Sequence, residues 1–533
     1  MRVIDCVAVA LRAIGGFRRE QSAGVSDQHG FTMLIAIEVL AVTMLITAAI
    51  FAAVLRDSSL SQYTLDAQRA YDAASAGANA YLYQLNQNPN YWSTCSNDVQ
   101  AKTTVPGSTT GEEYSYTYVP ANGNTTCTGS PPTASLIDNN TASLGMEFTG
   151  YSGNVTRTIV ASFRRQSPLD FLWYTVYEAL DKSISGYSGC GVFLRDGRDS
   201  NCNINWVSGD VINGPMYTQD QYLIDGAATF GRNANDKIES AAPGTGASDI
   251  CADNDSGTII EDNCGTAVIN GTAVPNAPTI SPPSNNTQLL NDAATYGKTY
   301  TGTTTITLNG TSATVVNCPS SCTTSTVSLA QYPVIYVSNG SNCTPYAYSP
   351  FNVTYSTSGC TGDVYVSGNY TTPLTIGAAN NIIVDGNITT GSSGPSTLTG
   401  NAVLGLIANA FIRVMHGVTY PDGTCDTNSA NVSSQSFTNL TIDAAMLAIQ
   451  HSFIVDNFSC GASLGSLTVN GAIAQYFRGA VGTTADAGYL KNYTYDDRLK
   501  VLSPPYLFDI STADWQLSRE TLCTPHGTSA TTC

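Results

Sequence analysis

The chain has 533 residues, a formal net charge of −18 and only 12% charged residues. An acidic balance of this size repels DNA and anionic membrane surfaces, and no stretch carries the basic footprint that nucleic-acid binding needs. The length exceeds one ordinary domain, and the Thr, Ser, Asn, Gly and Tyr that fill the polar positions describe an exported β-protein with long polar loops.

Residues 1–29 carry Arg2, Arg12, Arg18 and Arg19, positive charge that holds this end on the cytoplasmic side of a membrane. From Gly30 the chain reads GFTMLIAIEVLAVTMLITAAIFAAVL. Residues 31–55 contain one charge, Glu38, and as a helix they span roughly 37 Å, enough for a tilted transmembrane segment. No other stretch is apolar for as long. A plain signal anchor would share these features. A cleaved secretory signal would have a shorter apolar core and a small-residue cut site, which ITAAIFAA imitates. Glu38 needs an account of its own, because a carboxylate at membrane depth costs about 3 kcal/mol on insertion scales. A protonated or snorkelling acid without further role is one such account.

From Ser58 the helix is expected to continue. Leu60, Tyr63, Ala67, Ala70, Tyr71, Ala74, Ala78, Tyr81, Leu82 and Leu85 recur at helical spacing on one face, and Asn88 with Pro89 ends the run. The Gly-Phe-Thr junction followed by an apolar helix resembles the prepilin processing site of type IV pilins and pseudopilins. The segment AQRAYDAASAGANAYLYQLNQNPNYW is similar to the post-anchor helix of PilX-like minor pilins of actinobacterial type. The tail, YLKNYTYDDRLKVLSPPYLFDISTADWQLSRETLCTPH, resembles the ending of the same group.

That resemblance implies cleavage between Gly30 and Phe31 by a membrane prepilin peptidase, methylation of the new N-terminus, and packing of the helix among other pilin subunits in a filament core. Inner-membrane assembly machinery would be a further partner, and the body would lie at the cell surface. The family's assembly acid is the fifth mature residue. Here that position is Ile35, and Glu38, three residues on, lies near the same helix face but about 4.5 Å deeper.

Residues 93–166 read as a β-region, with strands near 113–121, 143–151 and 155–166. Beyond Ser167-Pro168, the aromatic run LDFLWYTVYEAL reads as a buried strand or short helix joining two domains, or less simply as an aromatic ligand shelf. Later segments starting near 373, 402, 440 and 467 each hold short apolar strands separated by small residues, Asn or Gly. This recurrence suggests coils of a right-handed parallel β-helix or related solenoid, against the alternative of an irregular β-sandwich. The expected architecture is therefore mainly β with a long N-terminal α-helix: leader 1–30, membrane or filament-core helix 31–55, amphipathic continuation 56–92, pilin-like β-meander 93–166, and a disulfide-rich, solenoid-like head 167–533.

Fifteen cysteines include Cys6 in the leader, whose removal leaves an even set. An exported body favours disulfides. Nearest-neighbour pairing gives Cys95–Cys127, Cys190–Cys202, Cys251–Cys264, Cys318–Cys322, Cys343–Cys360, Cys425–Cys460 and Cys523–Cys533, although spacing alone does not fix connectivity. Asp249, Asp253, Asp255, Glu261 and Asp262 crowd one such loop, either as a solvated acidic turn or as oxygen ligands for calcium. Asp496, Asp497 and Arg498 read as a salt-bridged corner.

Asp385, Arg413, His416, His451 and Asp456 fall in neighbouring coils without a motif to bind them, and satisfied histidines are the plainer reading. No nucleophile elbow, P-loop, HExxH or dinucleotide fingerprint is present, so no catalytic residue and no cofactor are named. The expected function is a minor pilin or pilus assembly component with a large extracellular head at a tip or surface, with adhesion as a possible task. The alternatives are a secretion-system pseudopilin and a membrane-anchored carbohydrate-binding protein or polysaccharide-active β-helix enzyme.

Overall fold

The computed structural model describes residues 31–129, 133–185, 187, 202–254, 259–391, 398–420, 425–483, 487–507 and 514–523. The fold is mainly β with one long N-terminal helix, Phe31–Gln87. The chain divides into two compact units, residues 1–68 and 69–533. In the first, every described side chain from 33 to 65 is exposed. Thr43 and Thr47 return their hydroxyls to the helix, donating to the carbonyls of Val39 (2.8 Å) and Thr43 (2.9 Å). Such back-bonding satisfies a hydroxyl without water.

The second unit begins where the helix acquires a packed face. Ala70, Ala73, Ala74, Ala78, Tyr81 and Leu85 are buried, whereas Leu60 and Tyr63 are exposed. The buried face therefore starts later than periodicity suggested. It lies on an antiparallel sheet built from Val99–Thr104, Glu113–Tyr118, Ile137–Asp138, Ser143–Ser152, Val155–Arg165 and Trp515–Leu522. The last strand corrects the expected domain limits. Residues 515–522, expected in the head, pair antiparallel with Val155–Arg165, Trp515 opposite Arg165 and Leu522 opposite Ile159. Trp515 explains the return: it is buried, its indole N–H donates to the Pro89 carbonyl (3.0 Å), and its ring meets Trp92 edge-on.

Helix and sheet approach closely because both present small residues. A Cβ at Gly150 would fall 1.9 Å from the Ala70 carbonyl oxygen. At the far end of this contact the Tyr81 hydroxyl donates to Asp98, which is fully buried and whose second carboxylate oxygen has no partner among the described residues. Burial raises the Asp98 carboxyl to about 7.

A second sheet gathers 21 strands among the described residues, most of them parallel. One row stacks Lys298–Thr301, Val334–Ser338, Leu374–Ala378, Leu404–Ala408, Thr441–Ala448 and Ser466–Phe477. It then continues through Trp173–Tyr177, Met216–Thr218, Lys237–Ser240 and Thr272–Val274. A second row stacks Thr304–Gly310, Val364–Tyr370, Ile382–Thr390, Ile412–Val414 and Phe453–Val455. Registers align side chains into columns: Ile335, Ile376, Leu406, Met446, Ile473, Trp173, Met216 and Ile238 follow one another and are all buried. The recurrences near 373, 402, 440 and 467 coincide with four of these strands. The row is not in chain order, because Ser466–Phe477 is followed by Trp173–Tyr177. LDFLWYTVYEAL thus supplies a core strand, and its Phe171, Trp173 and Tyr174 are too buried to form a ligand shelf.

Five disulfides are local: Cys95–Cys127, Cys251–Cys264, Cys318–Cys322, Cys343–Cys360 and Cys425–Cys460. Cys202 and Cys523 are disulfide-bonded as well; their expected partners Cys190 and Cys533 lie outside the described residues, as does Asp255.

Two outcomes are expected. Leu406→Ala empties a position in the buried column and should cost about 2–5 kcal/mol, read by denaturant unfolding. Between pH 4 and 7 the folded chain holds a proton on Asp98 that the unfolded chain has released, so Asp98 makes stability fall as pH rises through that window and level off above it. Asp98→Asn should remove this component, at most about 1.4 kcal/mol per pH unit, in unfolding curves compared with the parent across the window.

Candidate functional site

Two places carry functional potential. The first is the exposed helical segment. Among the described residues it is the one helix long and apolar enough to cross a membrane. Glu38 lies on it, exposed. Phe31 begins the helix, and Gly30 lies outside the described residues.

The second is a groove on the parallel stack. The turns that link the two rows are short, so they stack as the strands do. Asn380 and Asn381 occupy one turn, Asn409 to Phe411 the next, and Gln450 with His451 a third. Their backbones are joined from turn to turn: Ala410 N–H donates to the Asn380 carbonyl (3.0 Å) and Gln450 N–H to the Asn409 carbonyl (3.2 Å). Facing them is the loop closed by Cys343–Cys360, which brings Pro345, Tyr346, Ala347 and Tyr348 over the turns. Between loop and turns lies a cavity of about 420 Å³.

A buried ion pair holds that loop. Arg413, in Ile412–Val414, points outward from the stack, where it is covered rather than solvated, and is 3% exposed; Asp456 is wholly buried. Arg413 donates from Nε and Nη2 to the two carboxylate oxygens of Asp456 (3.0 and 2.9 Å). Tyr348 and Tyr355 of the loop donate their hydroxyls to the same carboxylate (2.6 and 2.8 Å). Charge-assisted bonds of this kind are short and strong. The third Arg413 nitrogen, Nη1, donates to the Tyr346 hydroxyl oxygen (2.9 Å), which also accepts from Asn381 Nδ2 (3.1 Å).

The expected cluster is only partly gathered. Arg413 and Asp456 are paired, and His416 sits beside them, its ring nitrogens 3.2 Å from the Asp456 carbonyl and 3.1 Å from the Asn431 amide oxygen; burial lowers its basicity. His451 belongs to the groove instead. It contacts the Asp181 carboxylate at 2.7 Å and stacks on Phe411 at 4.3 Å. Asp385 makes neither contact set, and burial raises its carboxyl.

The acidic loop uses its own groups. Asp249 accepts the N–H groups of Thr245 and Gly246 (2.7 and 2.8 Å), and Asp262 accepts from Gln221 (2.9 Å). Among the described residues, no cluster of three His, Cys, Asp or Glu side chains is arranged to hold a metal. The tail corner is ionic: Arg498 holds Asp496 at 2.7 Å, and Asp497 bridges Arg232 (2.6 Å) and Lys500 (2.8 Å), contacts that pull its carboxyl down to about 2.

Sequence reasoning missed the tyrosine loop. Tyr346, Tyr348 and Tyr355 have no periodicity, and the signal available was their density inside the Cys343–Cys360 interval. It also missed Glu178 and Arg478, a buried pair at 3.1 Å in which Glu178 additionally accepts the indole N–H groups of Trp173 and Trp206 (2.9 and 3.0 Å).

No protein-family model matches this chain, and no curated protein matches it. Among solved structures, the crystal structure of the competence-associated pilin ComZ from Thermus thermophilus aligns over 86% of this chain and 98% of that chain, at 13% identity and a TM-score of 0.27. At that TM-score the alignment carries no weight for fold or function.

Asp456→Asn leaves the buried Arg413 without its counter-charge. The expected loss is about 3–5 kcal/mol, with faster amide hydrogen exchange across 345–355 than across the row strands, measured by mass spectrometry.

Proposed function

We propose that this chain is a minor subunit or assembly component of a type IV pilus-like filament, of the PilX-like kind. The observation that carries the reading is the division of one helix, Phe31–Gln87, into an exposed apolar half and a half packed on an antiparallel sheet. An apolar segment of that length requires a non-aqueous surrounding, and the Gly30-Phe31 junction supplies a route from bilayer to filament. A prepilin peptidase removes residues 1–30, Phe31 is methylated, and the helix passes from the membrane into a core formed with other pilin subunits. Glu38 takes the place of the usual assembly acid. The N-terminus starts cytoplasmic, and the body is external.

In this reading the stack is a β-solenoid head, supported by its parallel rows and aligned columns. Its bulk favours a tip or sparse position over a uniform filament wall, and the reading assigns it binding rather than catalysis. The test is N-terminal mass analysis with and without a co-expressed prepilin peptidase. A chain beginning at N-methylated Phe31 only when the peptidase is present is expected. An intact leader despite an active peptidase overturns the filament route and leaves a bitopic anchor, for which the groove favours a membrane-anchored binding protein.

A further inference from the structure

We infer that the groove between loop 345–348 and the stacked turns is a binding site for a neutral oligosaccharide. The inference deepens the adhesive part of the proposed function, but rests on the groove alone and not on leader processing.

The first argument is the state of Tyr346. The residue is 48% exposed, yet its hydroxyl oxygen already accepts two bonds, from Arg413 Nη1 and Asn381 Nδ2. A phenol oxygen that accepts twice has its own O–H left to give. That proton has no acceptor among the described residues, and the buried guanidinium behind it strengthens it as a donor. The second argument is Asn409. It lines the groove, and its amide oxygen is fully buried with no hydrogen-bond partner among the described residues; a buried acceptor left unmade costs about 1–3 kcal/mol. A ligand hydroxyl that accepts from Tyr346, and one that donates to Asn409 once its amide turns into the groove, would satisfy both.

The remaining lining narrows the class. Asn339 and Gln450 add amides, and the half-buried His451 ring, backed by the buried Phe411, adds an aromatic side. Among the described residues no Lys or Arg lines the cavity, which disfavours phosphate, sulfate and carboxylate ligands, and no Asp or Glu lines it, which disfavours a cation. Mixed donors and acceptors beside aromatic surface suit a ligand that carries many hydroxyls and no charge. The volume of about 420 Å³ lies within the roughly 300–1,000 Å³ of small-ligand clefts. The turns repeat at the strand spacing of about 4.8 Å, so the polar groups form a line along the stack, matching a chain of sugars better than a single one.

The experiment uses the full-length chain in a detergent without a sugar headgroup. Calorimetric titrations are made with the hexasaccharides of β-1,4-linked glucose, β-1,4-linked N-acetylglucosamine and α-1,4-linked glucose, and with a sialylated oligosaccharide as the anionic comparison. Saturable binding of at least one neutral hexasaccharide is expected, weakened at least tenfold by Tyr346→Phe, which removes only the hydroxyl, and by Asn409→Ala. Tyr300→Phe, which loses an exposed hydroxyl on Lys298–Thr301 and lies outside the groove, should bind as the parent does. With the parent chain, bound sugar should slow hydrogen exchange at 345–348 and 409–411, a readout that holds if a variant fails to fold. Absence of binding to all three neutral probes, a preference for the sialylated one, or binding that leaves exchange at those two segments unchanged overturns the proposal. A processed leader with no sugar binding would remove this inference alone, and sugar binding with an intact leader would remove the filament route alone.

Discussion

Parallel β-strands that leave their backbone groups to be paired by the next layer cannot tolerate a gap, and in this chain the layer most at risk is the junction of Ser466–Phe477 with Trp173–Tyr177. Here segments about 300 residues apart must meet in register. Glu178 and Arg478 stand one residue beyond the two strands, and both are buried. Isolated, either charge would be costly in the interior; together, and with two indole N–H groups on the carboxylate, each satisfies the other. The Arg478 guanidinium also lies 3.8 Å from the Trp206 ring centroid. A slip of one residue would separate the pair and turn the aliphatic column outward. The ion pair therefore acts as a register key for the contact that unites the two parts of the stack.

The same logic, moved to the outside of the stack, produces the groove. Arg413 follows Tyr365 and Ile383 in an outward column, and its charge is neutralised by Asp456, which follows the next strand of the row. The pair in turn fixes two tyrosines of a long loop, and the disulfide at the loop base contributes roughly 3 kcal/mol by limiting its unfolded freedom. Rigid scaffold, pinned loop and unspent hydrogen-bonding groups thus arise from one buried pair. Where the first ion pair sets register, the second positions a surface.

What could be read from the sequence was local. The apolar run, the helix end at Gln87, the strands near 113, 143 and 155, and the recurrences near 373, 402, 440 and 467 are all patterns within a few residues of one another. What could not be read was non-local. Nothing around Trp173 states that its neighbour is Ile473, and nothing in RETLC states that it borders Val155–Arg165. The tyrosine loop was opaque for another reason: its residues are placed by partners on or beside other strands, so its own spacing holds no period. Arg413 and Asp456 stand out as residues, but their pairing depends on the strand-to-strand offset along the row, which composition does not encode.

The return of Trp515–Leu522 to the side of Val155–Arg165 makes the whole stack an excursion that leaves and re-enters the antiparallel sheet at adjacent positions, Arg165 and Trp515. An excursion with neighbouring ends can lengthen or shorten by whole layers of paired strands while the sheet and its helix stay unchanged. It also sets how tension travels. A pull on the stack draws on both strands in the same direction, so the pair is not peeled apart, and the load passes as shear into Ser143–Ser152, which is bonded along the length of Val155–Arg165. The attachment is that of a two-stranded tether, in which neither strand bears the load alone.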